Sequence, residues 1–415
     1  MCLPDASQAL GSSGRSAATN FWAPLEEMAA AFSWTLLSWY EWPMRRVPGE
    51  KYQSELGFRL AQLRRLPIRS AISRLVRWKP LEHPRDGYTI IIGCNTGLAR
   101  MLGSNLKFLS RQNLPHVAQI FVVLDRPRAS IPDDIEPVMR ARFPELPLEF
   151  LYYNRLQRAV CSAIRWPWVQ SWLSWSIGIE QLNTQYALLH DFDAMLLRPN
   201  IIEERFLAIR ERKHEYVGVR FYSGNGVAPE DGLATTFELI FDAQFVRRRF
   251  VPLDLFNHVV RFRGKRVDFD TLLYAQSIAG KASTLEVAET DMVHPSQLIC
   301  HFEGFLNGRD RVPPANNLLM VPYLLFASDE PAVMQQMTQA LEQGGGSTVP
   351  FFGKSLDLSG IDPPLLRWLA KQAGRLEQSD VGHVRDEVTR YFSAADQFIA
   401  RATGRQQALG GPPEV

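Results

Sequence analysis

Residues 186–199 read YALLHDFDAMLLRP. The apolar run Tyr186–Leu189 reads as a short buried strand, yet it ends in two acids spaced Asp-x-Asp before apolar residues resume. Neighbouring carboxylates repel, and burial disfavours the charged form of each. Either the strand stops at His190 and the acids are solvated, or something positive sits between them. On an extended chain, Asp191 and Asp193 at i and i+2 point to one face, with Cα atoms ~6.5 Å apart.

Working upstream, Tyr88–Gly93 in "RDGYTIIIGCNTG" is a β-rich apolar run closed by the turn Asn95-Thr96-Gly97. "LARMLGSNLKFLSRQ" follows with helical periodicity, and "AQIFVVLDRP" (118–127) is a second strand ending in Asp125. "PDDIEPVMRARFPE" predicts a short helix, "LPLEFLYYN" a third strand, and the Trp-rich residues 166–183 a helix leading into the Asp-x-Asp strand. Strand and helix in alternation predict an α/β fold with a mostly parallel, helix-covered sheet. Such sheets bind ligands at the carboxyl ends of their strands. Asn95, Asp125, Asn154 and Asp191/Asp193 all fall at such ends.

The chain has 415 residues, 46% apolar and 22% charged, with a formal net charge of +2, a globular composition. No nucleic-acid partner is expected. Cys2, Cys94, Cys161 and Cys300 are scattered with no C-x-x-C pair, which suits a reducing, cytoplasmic setting and argues against a zinc ribbon or disulfide scaffold. No signal-peptide pattern opens the sequence, and no apolar run approaches the ~18 residues of a spanning helix.

Three segments follow from the pattern: an arm (1–85), a central α/β domain (86–322) and a helical C-terminal region (323–415). Residues 1–20 are Ser/Gly/Ala-rich, a disordered composition. Residues 21–43 are aromatic and apolar with three acids, and 58–80 carry seven Arg and Lys and no acid. Leu60, Leu63 and Leu66, then Ile72, Leu75 and Val76, alternate with arginines as two amphipathic helical pieces interrupted at Pro67. Residues 21–80 therefore suit an anionic membrane surface. The plainer alternative is a helical arm packed on the main domain with its arginines solvated. In the C-terminal region, "SDEPAVMQQMTQALEQGGG" offers Ser328 as a helix N-cap and a glycine stop, and two further helical patterns follow. These helices read as a packing or oligomerisation appendage.

The strands "YTIIIGCNT" and "IFVVLDRP" together with "LLHDFDAMLLRP" resemble a glycosyltransferase of the GT-A fold, family-2-like in the broad sense, over residues 86–305. The resemblance implies a nucleotide-diphosphate sugar donor, a glycan, lipid or protein acceptor, and Mn²⁺ or Mg²⁺. Elementary chemistry agrees: a nucleotide diphosphate leaves poorly unless a hard cation, held by carboxylates, neutralises its charge. The resemblance makes Asp193 the first metal ligand and lets Asp191 reach metal, ribose or sugar. It makes Asp125 the reader of the nucleobase, with Asn95, Thr96, Arg126 and Arg128 helping to hold the donor. It also implies a late histidine on the metal, His294 or His301, with Glu303 a further acid nearby. An unactivated hydroxyl needs a base; Asp268 and Asp270 in "KRVDFDTLLYAQSIAG" are the candidates, Asp270 at a helix start where the base of such enzymes falls and the outcome is inversion. Asp270 is equally an ordinary N-cap.

Trp168, Trp172 and Trp175 share a helical stripe, a sugar platform or plain core, and "YSGNGVAPEDG" (222–232) is either a mobile loop by the donor or an ordinary one. Two rival functions stand beside transfer. A haloacid-dehalogenase-like phosphohydrolase also places Asp-x-Asp after an apolar strand, but this chain has Met195 where Thr or Val is wanted. A non-catalytic nucleotide-binding scaffold is the other.

Overall fold

A computed structural model describes residues 49–220, 224–285, 291–295, 298–308, 317–361 and 363–402. The expectations for residues 1–43 lie outside the described residues. The described residues form one compact unit.

The sheet follows the alternation of the sequence. Its strands are β1 (Arg85–Cys94), β2 (Val117–Leu124), β3 (Leu148–Tyr152), β4 (Thr184–His190), β6 (Tyr216–Arg220), β7 (Ala234–Asp242) and β10 (Ala282–Leu285), in the order β10-β6-β7-β4-β1-β2-β3. All neighbours are parallel except β7, which runs antiparallel to both β4 and β6. Two-residue strands β5 (Met195–Leu196) and β11 (Met292–Val293) form a separate antiparallel ribbon, and β8 (His258–Phe262) pairs with β9 (Lys265–Phe269). Among the described residues no helix is long and apolar enough to cross a membrane.

Central strands covered on both faces need apolar residues at every position. In β1, Ile90 and Ile92 enter one core and Ile91 the other, as the two-residue period of a strand requires. The helix Pro167–Gln181 covers the Ile91 face so closely that a Cβ on Gly178 would come within 2.5 Å of the Ile91 side chain. Trp172 is buried there and donates to the Pro252 carbonyl at 2.8 Å, and Trp175 is buried beside it. Trp172 and Trp175 are therefore core, while Trp168 is half-buried against it. The opposite face packs against helices Leu102–Leu109 and Ile201–Arg212, and its core continues into the C-terminal helices through Leu324, Met337, Leu376 and Tyr391.

Three local expectations are corrected. The basic arm is one continuous helix, Glu55–Ile72, with Pro67 inside it. Proline removes only the bond toward residue 63, and the buried Phe58 and Ile72 hold both ends of the helix down. Its arginines are not all solvated: Arg65 and Arg69 turn inward onto Asn257, Asp268 and the Leu253 carbonyl. Ser328 is not an N-cap but the buried C-cap of Met320–Ala327; the next helix starts at Ala332 behind Pro331 and stops at Gly344. The C-terminal region also holds a hairpin, Thr348–Phe351 with Lys354–Asp357, beside its helices.

Candidate active site and metal centre

Strand β4 stops at His190, and the two acids that follow sit in a turn and not on an extended strand. Ala194 N–H donates to the Asp191 carbonyl at 3.0 Å, closing the turn, while Asp191 N–H donates to the Phe237 carbonyl of β7. The chain then enters β5, where Met195 opposes Val293 and Leu196 opposes Met292. That register carries the next residue, His294, to the acids. His294 Nε2 is 3.3 Å from Asp193 Oδ1 and 3.5 Å from Asp191 Oδ2. One donor atom from each of the three residues lies within 4.8 Å of the others. The imidazole stacks on Phe237, with ring centroids 4.3 Å apart.

The charges match this geometry. Burial opposes a charge on His294, but the adjoining Asp193 and Asp191 carboxylates outweigh it and raise its pKa to about 10. Burial raises Asp191, reinforced by the charge of Asp193 and opposed by His294. The positive group between the acids is thus an imidazolium. Two carboxylates and one imidazole also make a donor set for a divalent cation: the oxygens suit Mg²⁺ and Mn²⁺ alike, and the nitrogen favours Mn²⁺. His301 lies on the helix Leu298–Leu306 and is not a member of this cluster.

Beneath the turn runs a buried polar chain that sequence reasoning missed. Asn105 Nδ2 donates to the carbonyls of Asp191 and Ala194 at 3.2 and 3.0 Å and lies 3.1 Å from His190 Nε2. His190 Nδ1 is 2.6 Å from Glu238 Oε2, its cross-strand partner in the β4–β7 register, and Glu238 ion-pairs with Arg205. Burial disfavours the charge of Glu238, but His190 and Arg205 outweigh it and hold its carboxyl below the usual range.

The remaining candidates divide into held and open groups. Asp125, buried at the end of β2, takes the Thr96 N–H at 2.9 Å and the Thr96 hydroxyl on Oδ1, and Arg158 at 3.0 Å on Oδ2. Asn95 caps the 3₁₀ turn Thr96–Met101 through Gly97 N–H and donates to Glu303. Asn154 forms a capping box with Gln157 at the head of Arg155–Ile164. The buried Nε of Arg126 has no hydrogen-bond partner among the described residues, whereas Arg128 rests on the Tyr152 ring and pairs with Asp133.

Asp268 is buried on β9, and its Oδ2 accepts from Tyr52 at 2.7 Å and Arg65 at 2.8 Å. The Asp270 carboxylate accepts from its neighbour's Thr271 N–H at 2.7 Å, its one side-chain hydrogen bond among the described residues. It does not cap the helix Leu273–Ile278, whose N-cap is Leu272 at φ +67°. Burial, with the charges of Asp191 and Asp268, raises the Asp270 pKa to about 6 against the Thr271 bond. The described part of the glycine-rich loop, 224–232, turns at Asn225-Gly226 and is pinned by Asp268 N–H to the Asn225 carbonyl at 2.9 Å. Tyr52, Arg65, Asn105, Glu238 and Phe237 carried no signal in the sequence, because each acts through a partner remote along the chain.

No protein-family model matches the sequence, and no curated protein matches it. Solved structures share its layout distantly. One is S. aureus TarS 1-349, with 10% identity, 78% of this chain and 93% of that chain covered, and a TM-score of 0.33. Another is the mannosyltransferase PcManGT from Pyrobaculum calidifontis in complex with GDP-Man and Mn²⁺, with 14% identity, coverage of 84% and 97%, and a TM-score of 0.35. A third is the glycosyltransferase GlyE in Streptococcus pneumoniae TIGR4, with 13% identity, coverage of 49% and 46%, and a TM-score of 0.32. Likeness this weak carries no inference about chemistry.

Proposed function

We propose that the chain is a GT-A-type glycosyltransferase that uses a divalent cation to move a sugar from a nucleotide-diphosphate donor to a hydroxyl acceptor, with inversion. The observation that carries this reading is the Asp191–Asp193–His294 donor set at the carboxyl edge of the sheet, within electrostatic reach of Asp270. A cation held by these three would neutralise the charge that develops on the leaving diphosphate. Mn²⁺ fits the mixed oxygen and nitrogen set better than Mg²⁺.

Asp270 is the general base in this reading. With a pKa of about 6 it is ionised at neutral pH, yet basic enough to accept the proton of an acceptor hydroxyl. Asp268, held by Tyr52 and Arg65, positions β9 and does not take the proton. Asp125 offers its remaining lone pairs to base or ribose donors, and Arg126 would help to hold the donor by its positive charge. Asn95 and Thr96 shape the turn beside them. The scattered cysteines suit a reducing compartment such as the cytoplasm; Cys94 and Cys161 are free and buried.

A thermal-shift screen of the full chain against nucleotide sugars, with and without Mn²⁺, tests the reading. Binding to the folded state raises the melting temperature by mass action, so a metal-dependent rise names base and sugar together. Mass spectrometry of the hit then follows transfer or donor hydrolysis. A screen with no metal-dependent hit overturns the reading. Phosphate release from simple monoesters without any sugar nucleotide would point to a phosphohydrolase, and binding without turnover to a scaffold.

A further inference from the structure

The arm helix Glu55–Ile72 is built inside out. At about 100° per residue, Phe58, Arg65, Arg69 and Ile72 fall on one side, and this is the side that meets the protein. Leu56, Leu60, Leu63 and Pro67 fall within an arc of about 60° on the other. Leu56, Leu60, Leu63 and Leu66 are 67%, 42%, 59% and 60% exposed. No other described element exposes more than two large apolar side chains. Arg59 and Arg64 flank this strip on its two shoulders, and Arg74, Arg77 and Lys79 continue the exposed positive charge beyond the helix. From Glu55 to Glu82 the chain has no other acid, and Glu55 is itself paired with Arg59 and Arg261. Beside Leu63 and Leu66 opens a cleft of 460 Å³ lined also by Arg59, Arg69 and Asn257. The hydrogen bonds of Arg69 there go to the Asn257 and Leu253 carbonyls.

We propose that this face docks on an anionic lipid bilayer, the leucine strip entering the headgroup boundary and the flanking arginines meeting lipid phosphates. An apolar strip with cationic shoulders is the pattern that lies in a membrane interface, where buried apolar area and attraction to acidic lipid add. A second copy of the chain suits the face poorly, because a two-fold contact would set arginines against arginines. The inward side of the same helix holds Asp268 through Arg65. Where the transfer reading above also holds, docking brings the candidate site to the headgroup layer, and the acceptor class that fits is a lipid-anchored hydroxyl.

The test is sedimentation of the full chain with vesicles of phosphatidylcholine, with and without an equal part of phosphatidylglycerol. Binding is expected only to the acidic vesicles, falling as salt rises. The Leu60→Glu/Leu63→Glu pair should weaken it by roughly tenfold or more. The pair should keep the melting temperature, because both side chains are exposed, and should leave any Mn²⁺ or nucleotide-sugar binding unchanged. No binding by the unaltered chain overturns the proposal. Equal binding by the pair also overturns it, because the leucine strip would then not be the lipid contact. So does a dimer in light scattering that the pair dissolves. None of these readouts depends on transfer activity, so loss of the enzymatic reading leaves the test intact.

Discussion

His294 stands beside two acids that share its charge. Its folded pKa lies above that of the unfolded chain, so its stabilisation is fully present below pH 6.5 and is lost as pH rises through about 10. His294→Ala should therefore lower the stability of the metal-free protein at pH 6 by up to about 3 kcal/mol, since the acids lose their counter-charge. The deficit should shrink toward pH 10, as thermal melts at the two pH values would register. The same variant should lose Mn²⁺ affinity by roughly tenfold or more in calorimetry, while His301→Ala stays near the parent; equal losses would dismantle the assignment. Asp270 shares this pH direction, but here the charged form is the disfavoured one. Its folded pKa of about 6 sits above the ordinary 3.8, so stability is greatest at low pH and falls as the carboxyl ionises. Asp270→Asn should stabilise the fold at pH 8 by up to about 3 kcal/mol, with the gain gone near pH 4. Transfer by that variant should fall roughly 10²-fold or more, and parent transfer should decline as pH drops through about 6. A variant that transfers normally would return the base role to Asp268 or Glu303.

Among the elements, the turn after β4 depends on strands and helices far from it in sequence. Glu238 on β7 stands between His190 on β4 and Arg205 on the helix Ile201–Arg212, all three nearly free of solvent. Glu238→Ala strands a buried guanidinium and should cost about 3–5 kcal/mol, read as a drop in the chemical-denaturation midpoint. Asn105→Ala is gentler on the fold but frees the turn, and Mn²⁺ affinity should drop by roughly tenfold; unchanged metal binding would mean the turn holds itself. These dependencies mark the limit of what the sequence discloses. Continuous apolar runs such as Tyr88–Ile92 and Ala187–Leu189 announce buried parallel strands, and acids directly after such a run announce a site. The two-residue ribbon β5–β11, which delivers His294, is too short to leave a periodic trace. The reversed direction of β7 leaves none either, because an apolar run reads alike in both directions. Nor does helical periodicity say which side of a basic amphipathic helix faces in. In Glu55–Ile72 the bonds of Arg65 to Asn257 and Asp268 decide it, with the guanidinium 4.2 Å from the Trp166 ring.

Across the whole molecule, the boundary near residue 322 is a division of sequence that packing does not respect. The helix Met320–Ala327 is buried along its length, in the same core as Ile90, Val122 and Leu188 of the sheet. Polar ties cross the boundary as well: Tyr391 donates to the Leu319 carbonyl at 2.9 Å, and Lys107 and Arg111 both pair with Asp380. Within the C-terminal helices, Arg385 makes two bonds to the buried Glu377, at 2.6 and 2.7 Å, and Tyr323 donates to the same carboxylate. An appendage that merely leaned on a finished domain could be removed without harm. Here removal would expose a large part of the core on that face of the sheet, a loss no surface rearrangement offsets. A chain ending at residue 322 should therefore fail to fold on its own, giving an expanded species with no sharp melt. The full chain should melt its sheet and C-terminal helices in one cooperative transition, with coincident far-ultraviolet dichroism and tryptophan fluorescence. Two separated transitions, or a soluble truncated chain that still binds Mn²⁺, would show that residues 323–402 are an independent unit and that the metal centre does not rely on them.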